Sequence, residues 1–317
     1  MNRRHIPQDV LDSAHARSAA RAARDWPEAD RLRAEIEAAG WTVVDRGTDF
    51  ALSPSAPPDV VDGGLARYGS SAAVPSLLED APTAPVTVVL VATDAPDDLA
   101  RALSGVRATS PAGTTVVIVA DGPSEMQALA LHELAPDDRT EVVWTSARLG
   151  PAAARNIGLR RSRGAVVVHL DPGVEPTGDF VTPLVAVLDD PGVAIAGGWG
   201  LVTSDLRAFE AGAGGDVTVV DGLCQAVRRG DAAERSPIDE RLRSARGVDT
   251  WWSLVLRDAG DGALPRRAIR LAELPVARHD PPGGPPATDR EASRLARRDT
   301  YRILAAFGGR RDLLTPP

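Results

Sequence analysis

The sequence predicts an α/β fold built on a mostly parallel sheet with helices on both faces. Near-continuous Val/Ile runs recur between Val86 and Asp171, and helical segments separate them. Three strand ends finish on or beside an aspartate, at Thr93-Asp94, Asp121-Gly122 and Asp171. Strands buried on both faces read as unbroken apolar runs, and parallel neighbours need a crossover between them. Ligands on such sheets bind beyond the carboxyl ends of the strands, where the strand order reverses.

Residues 1–52 read as a small separate unit, a helical hairpin plus a β-hairpin. "QDVLDSAHARSAARAARD" is Ala- and Arg-rich with apolar positions at helical spacing. In "WPEADRLRAEIEAAGW" Asp25 and Glu28 are spaced as a capping box, with Pro27 in the first turn. Leu32 and Ile36 make a stripe, and Gly40 is a C′ stop. "WTVV" and "FALS" flank "DRGTD" as a short hairpin. Residues 53–84 are rich in Pro, Ser, Gly and Ala, and read as a linker or an extended strap.

Residues 85–317 then carry the strands "VTVVLVA", "TTVVIVAD", "EVVWTS" and "AVVVHLD". The helices between them are "DAPDDLARALSGVRA", with Asp94 placed to cap it, "GPSEMQALALHEL" and "GPAAARNIGLRRSRG". "ASRLARRDTYRILAAFGGRRDLL" is an amphipathic C-terminal helix. Its mixed charge points to packing on the domain, with peripheral contact to a membrane surface as the alternative.

Composition narrows the function. A chain of 317 residues accommodates one large α/β domain and an appendage. The net charge of −8 opposes a broad polyanion-binding surface, so nucleic acid is not an expected partner. Every basic residue is Arg, which removes Lys Schiff-base and Lys general-base mechanisms. The single cysteine, Cys224, excludes an intrachain disulfide or a multi-Cys zinc site and suits a reducing cytoplasm. The five histidines are scattered, there is no signal-peptide core, and no apolar run approaches about 18 residues. The expectation is a cytoplasmic protein with no membrane span.

"LGPAAARNIGLRRSRGAVVVHLDPGVEP" is followed in order by "VDGLCQAVRRGD", "IDERLRSARGVDTWWSLVLRDAG" and "LPVARHDPP". Together these segments resemble family 2 glycosyltransferases of the GT-A fold, over roughly Val86 to Leu314. The resemblance implies inverting transfer of a sugar from a nucleotide diphosphate sugar to an acceptor hydroxyl, usually with Mg²⁺ or Mn²⁺. By that resemblance Asp249 is the base that deprotonates the acceptor. Thr93, Asp94 and Asp121 lie near the nucleoside, and Arg155 and Asn156 meet phosphate or fix neighbouring loops. Asp171 holds the nucleotide sugar and the metal, and His279 is a second metal ligand or a diphosphate donor. The sequence departs from the family's pattern at several points. The first strand ends "VATD", Ala120 replaces one of two aspartates, Gly173 stands at the second Asp of the Asp-x-Asp pair, and Val248 precedes Asp249. These departures leave a degenerate, non-catalytic GT-A domain that binds a nucleotide sugar or a partner protein as the alternative. Near the N-terminus, "ARAARDWPEADRLRAEIEAAGWTVVDRGTDFAL" resembles the C-terminal tail domain of cysteinyl-tRNA synthetases, an element that helps recognise tRNA. It comes without the synthetase's catalytic motifs, which implies an accessory, docking or capping role.

Several residues carry a second reading. Asp171 also suits a strand-end cap of its Pro-Gly turn, and Asp249 an N-cap of "TWWSLVLRDAG". Glu175 is either a substitute oxygen for the missing carboxylate or a solvated loop residue. Trp251 and Trp252 suit a sugar-stacking platform, although Trp252, Val255 and Leu256 follow core spacing. His169 reads as a satisfied core histidine, Cys224 as buried, and Arg228-Arg229 as a diphosphate contact or a solvated pair.

Overall fold

The computed structural model describes residues 6–46, 49–134, 137–260, 263–279 and 290–316. They divide into two compact units, Met1–Val60 and Val61–Pro317.

In the first unit, helices α1 (Gln8–Ala22) and α2 (Trp26–Ala38) precede strands β1 (Trp41–Arg46) and β2 (Asp49–Pro54), which pair antiparallel. The Asp25 side chain accepts the Glu28 N–H at 3.2 Å. Such a cap is worth about 1 kcal/mol, because it satisfies a helix-end donor that has no other partner. Val10, Ala14, Ile36, Trp41 and Val43 close a core of their own. The hairpin turn at residues 47–48 lies outside the described residues.

The expected linker is not merely a linker, because it holds β3 (Val60–Asp62) and β4 (Leu65–Tyr68). Strand β4 pairs parallel with β7 (Thr140–Thr145) and extends the main sheet. Turn-forming composition hid a short strand whose partner lies far along the chain.

The second unit continues with β5 (Ala84–Ala92), α3 (Pro96–Thr109), β6 (Thr115–Ala120), α4 (Glu125–His132), β7, α5 (Pro151–Arg161) and β8 (Gly164–Leu170). Then come β9 (Val174–Pro176), α6 (Val181–Leu188), β10 (Val193–Gly197), β11 (Gly200–Val202), β12 (Glu210–Ala211), β13 (Gly215–Val217) and β14 (Val219–Val220). The chain closes with β15 (Cys224–Arg228), α7 (Arg229–Arg235), α8 (Ala245–Arg257), β16 (Arg267–Arg270), β17 (Val276–Arg278) and α9 (Arg290–Phe307).

The main sheet runs β13-β16-β10-β15-β8-β5-β6-β7-β4-β3. Strands β8, β5, β6, β7 and β4 are parallel, and β15 is antiparallel to both of its neighbours. The chain steps from β5 to β6 and β7, then returns to the other side of β5 as β8. That reversal is the topological switch point. One face of the sheet packs Leu99 and Leu103 of α3 with Leu184 and Leu188 of α6, and the other packs Ile157 and Leu159 of α5 with Trp252 and Leu256 of α8. Helix α5 comes so close to β5 that a Cβ at Gly158 would collide with Val89. The amphipathic α9 packs as expected, burying Ile303 and Phe307 against Leu254.

Candidate functional site

A cleft of about 480 Å³ opens at the carboxyl ends of β5 and β8, at the switch point. Its walls include Ala92 and Thr93 at the end of β5, Asp171 to Gly173 beyond β8, and Arg278 with His279 at the end of β17. Arg155 of α5, His169 of β8 and Gly222 form its floor.

Asp171 stands where β8 ends. Its N–H donates to the Leu223 carbonyl and its Oδ1 accepts the Gly173 N–H at 2.8 Å, so the residue also fixes its own turn. The side chain meets solvent inside the cleft, but the cleft walls desolvate it and hold its carboxyl above the ordinary aspartate range. The Gly173 N–H and the charges of Arg155 and Arg278 oppose that rise.

His279 lies on the same rim but is turned to Glu175, with Nε2 and Oε2 2.7 Å apart. Pairing of β17 with β9 sets this contact by placing Ala277 opposite Glu175. Among the described residues no three His, Cys, Asp or Glu side chains gather where they could hold a metal ion. Among the described residues the donor set therefore does not fit a protein-held Mg²⁺ or Mn²⁺: Gly173 supplies no carboxylate, and Glu175, the other oxygen donor of the rim, is spent on His279.

Beneath the floor lies an ion pair. Arg155 Nη2 is 2.5 Å from Asp249 Oδ1, with side chains 10 % and 4 % exposed. The contact is ionic rather than an aligned hydrogen bond, since Oδ1 has no hydrogen-bond partner. Burial pushes the Asp249 carboxyl up, while the Arg155 charge pulls it down. Asp249 is not the N-cap of its helix; Ser244 is, and it accepts the Gly247 N–H at 3.1 Å. Asp299 of α9 accepts the backbone and hydroxyl hydrogens of Ser244 at 2.7 and 2.6 Å. Asp249 itself does not line the cleft: Gly222 covers it, and a Cβ there would collide with both Arg155 and Asp249.

Other expected residues are placed differently. Thr93 lines the cleft, whereas Asp94 is turned to Arg148 at 2.7 Å and caps no helix. Asp121 is buried outside the cleft lining, where it accepts the Leu149 and Gly150 N–H groups at 2.7 and 3.0 Å. It anchors the loop that launches α5, which an unsatisfied pair of amides would otherwise destabilise. Asn156 acts likewise, donating to Ile238 O and Glu240 Oε1 at 2.9 Å and accepting Ile238 N–H at 2.8 Å. These contacts tie it to the loop that carries Ile238 and Glu240.

The tryptophans form no platform in the cleft: Trp252 is core, and Trp251 packs edge-on to Phe307 at 5.3 Å. Arg228 and Arg229 are neither solvated nor at the cleft, because both are taken by backbone carbonyls such as Val193 O and Leu77 O. His169 is buried as expected but not satisfied, for its Nε2 has no partner. Sequence reasoning missed Gly222 and Arg278. The latter had a signal, since it is adjacent to His279 in "LPVARHDPP".

Comparison with known proteins adds the fold's name. The chain aligns with GalNAc-T7, solved with UDP, GalNAc and Mn²⁺, at a TM-score of 0.57 and 15 % identity, covering 72 % of this chain and 48 % of that one. It also aligns with the mannosyltransferase PcManGT of Pyrobaculum calidifontis, in complex with GDP-Man and Mn²⁺, at 0.51 and 16 %, covering 75 % and 78 %. The fold is GT-A. Residues 87–213 of this GT-A chain match the model of Glycosyl transferase family 2, a segment that starts within β5, runs on past β8 and therefore carries most of the cleft lining. A cysteine–tRNA ligase of Opitutus terrae is 44 % identical over 50 residues, 16 % of this chain and 11 % of that protein. The chain thus spans about a tenth of that curated relative and about half of the GalNAc-T7 chain. Among the described residues no helix is long and apolar enough to cross a membrane.

Proposed function

We propose that the cleft takes a nucleotide diphosphate sugar and that the chain transfers the sugar to an acceptor hydroxyl by direct displacement. The observation that carries this reading is the position of the cleft, at the switch point between β5 and β8, with Asp171, Arg155 and Arg278 converging on it. The nucleoside lies against Thr93, the diphosphate faces the two guanidiniums, and the sugar lies over the floor. Asp171 accepts hydrogen bonds from donor hydroxyls, which a carboxylate does well and a phosphate does not ask of it.

In the reaction the acceptor oxygen forms a bond to the anomeric carbon, the bond from that carbon to the diphosphate breaks, and the acceptor proton passes to Asp249. A base needs to reach its proton, and a carboxyl raised by burial is better matched to neutral pH than an ordinary aspartate. Arg155 holds Asp249 beneath Gly222 in the free protein, so diphosphate binding frees the base by drawing the guanidinium toward the cleft. The Mg²⁺ or Mn²⁺ implied by the resemblance enters no step, because the donor set for it is incomplete among the described residues.

The second reading, a non-catalytic GT-A domain, is favoured by two observations: Asp249 is paired and covered, and the cation donors among the described residues are too few. Following nucleoside diphosphate release from UDP-, GDP- and dTDP-sugars by ³¹P NMR separates the two. The transferase reading expects release by the wild type and its near-complete loss in Asp249→Asn with donor binding retained. Binding without release supports the second reading. The N-terminal unit, with a core of its own, suits a docking or capping role.

A further inference from the structure

We propose that His169 reads the donor: its imidazole forms a hydrogen bond with a hydroxyl of the transferred sugar at the cleft floor. This rests on the nucleotide-sugar reading and deepens it by assigning the residue that recognises the sugar rather than the nucleotide.

His169 lies on β8 two residues before Asp171, so the two side chains leave the same face of the sheet. It is 4 % exposed and lines the cleft. Among the described residues its ring makes no hydrogen bond, and Nε2 is buried without a partner. An imidazole shut away in that state is costly, and a Val such as Val167 would fill a strand position at no such cost. The neighbours across the sheet do not relieve it. Val89 faces it from β5, and Gln225 faces it from β15 with its Oε1 taken by Arg155 and its Nε2 given to Val220 O.

The chemistry selects the ligand. A neutral imidazole offers one donor and one acceptor. A hydroxyl both donates and accepts and matches either tautomer. A diphosphate oxygen only accepts and is better served by Arg155 and Arg278.

Calorimetry with two pairs of probes, UDP against UDP-N-acetylglucosamine and GDP against GDP-mannose, tests the assignment. The wild type should bind the sugar nucleotide of at least one pair more tightly than the bare nucleotide. His169→Leu should lose about fivefold to tenfold of that margin, the worth of one hydrogen bond, with affinity for the bare nucleotide unchanged. His169→Gln, which keeps a donor and an acceptor, should restore most of it. His169→Val serves as a second deletion if the Leu variant folds poorly. A margin that survives in the deletions, or an equal loss for both members of a pair, overturns the proposal. So does a wild type that binds the nucleotides with no margin for the sugar, which leaves the nucleotide-sugar reading standing. A wild type that binds no probe removes that reading and this proposal with it.

Discussion

At the floor of the cleft Arg155 and Asp249 lie 2.5 Å apart with side chains 10 % and 4 % exposed, whereas at the rim His279 and Glu175 lie 2.7 Å apart with side chains 40 % and 35 % exposed. The distances are nearly the same and the circumstances opposite. Water screens the rim pair, which leaves its geometry adjustable and its contribution to stability small. The floor pair has given up its hydration, so each charge depends on the other. The lesson is that burial, rather than distance, sets how much each pair contributes to stability.

The comparison breaks most sharply at Gly222. Gly222→Val should drive a side chain into both Arg155 and Asp249, and the expected outcome is a loss of soluble folded protein or a large drop in melting temperature. Next is Asp249→Asn, which leaves the Arg155 charge buried without its partner and should cost about 3–5 kcal/mol in chemical denaturation. Glu175→Gln at the rim should cost under about 1 kcal/mol in the same assay. Equal losses for the two would mean that burial does not separate floor from rim.

A smaller effect follows from His169, whose pKa is pushed down to about 3 by burial. Below its ordinary value of about 6.5 the unfolded chain takes a proton that the folded chain refuses. Its contribution is therefore complete above about pH 6.5 and is lost as pH falls toward 3, by up to about 1.4 kcal/mol per pH unit. Between pH 6.5 and 4 the wild type should lose stability more steeply than His169→Leu; parallel curves would contradict this. Smallest is Cys224, whose thiol burial pushes up to about 12. It should resist a thiol reagent in the native state and react fully only in denaturant.

How much of this was legible follows the range of the interactions. The helix cap at Asp25, the stripe of Leu32 and Ile36 and the Val-rich strands are local patterns, and they appear where the sequence places them. So does Asp171, because a strand end beside a Pro-Gly pair is a local signal and its place in the cleft follows from the switch-point rule. What the sequence could not give is which partner each polar residue chooses. Asp121 meets the Leu149 and Gly150 amides, Asp94 meets Arg148, and Asp249 meets Arg155 across 94 positions of chain. Motif order placed these residues near one another, but only the packed sheet decides which face the cleft. The strand β4 escaped for the same reason, since its pairing with β7 is non-local.

The central claim is that this cleft receives a nucleotide diphosphate sugar at Asp171. Titrating UDP-, GDP- and dTDP-sugars by calorimetry into the wild type and Asp171→Ala, with and without Mn²⁺, tests it most directly. The account predicts that at least one donor binds the wild type without requiring the cation, and that Asp171→Ala weakens that binding at least about tenfold, the scale of a charged hydrogen bond. No binding by any donor, or equal binding by the two proteins, would contradict it.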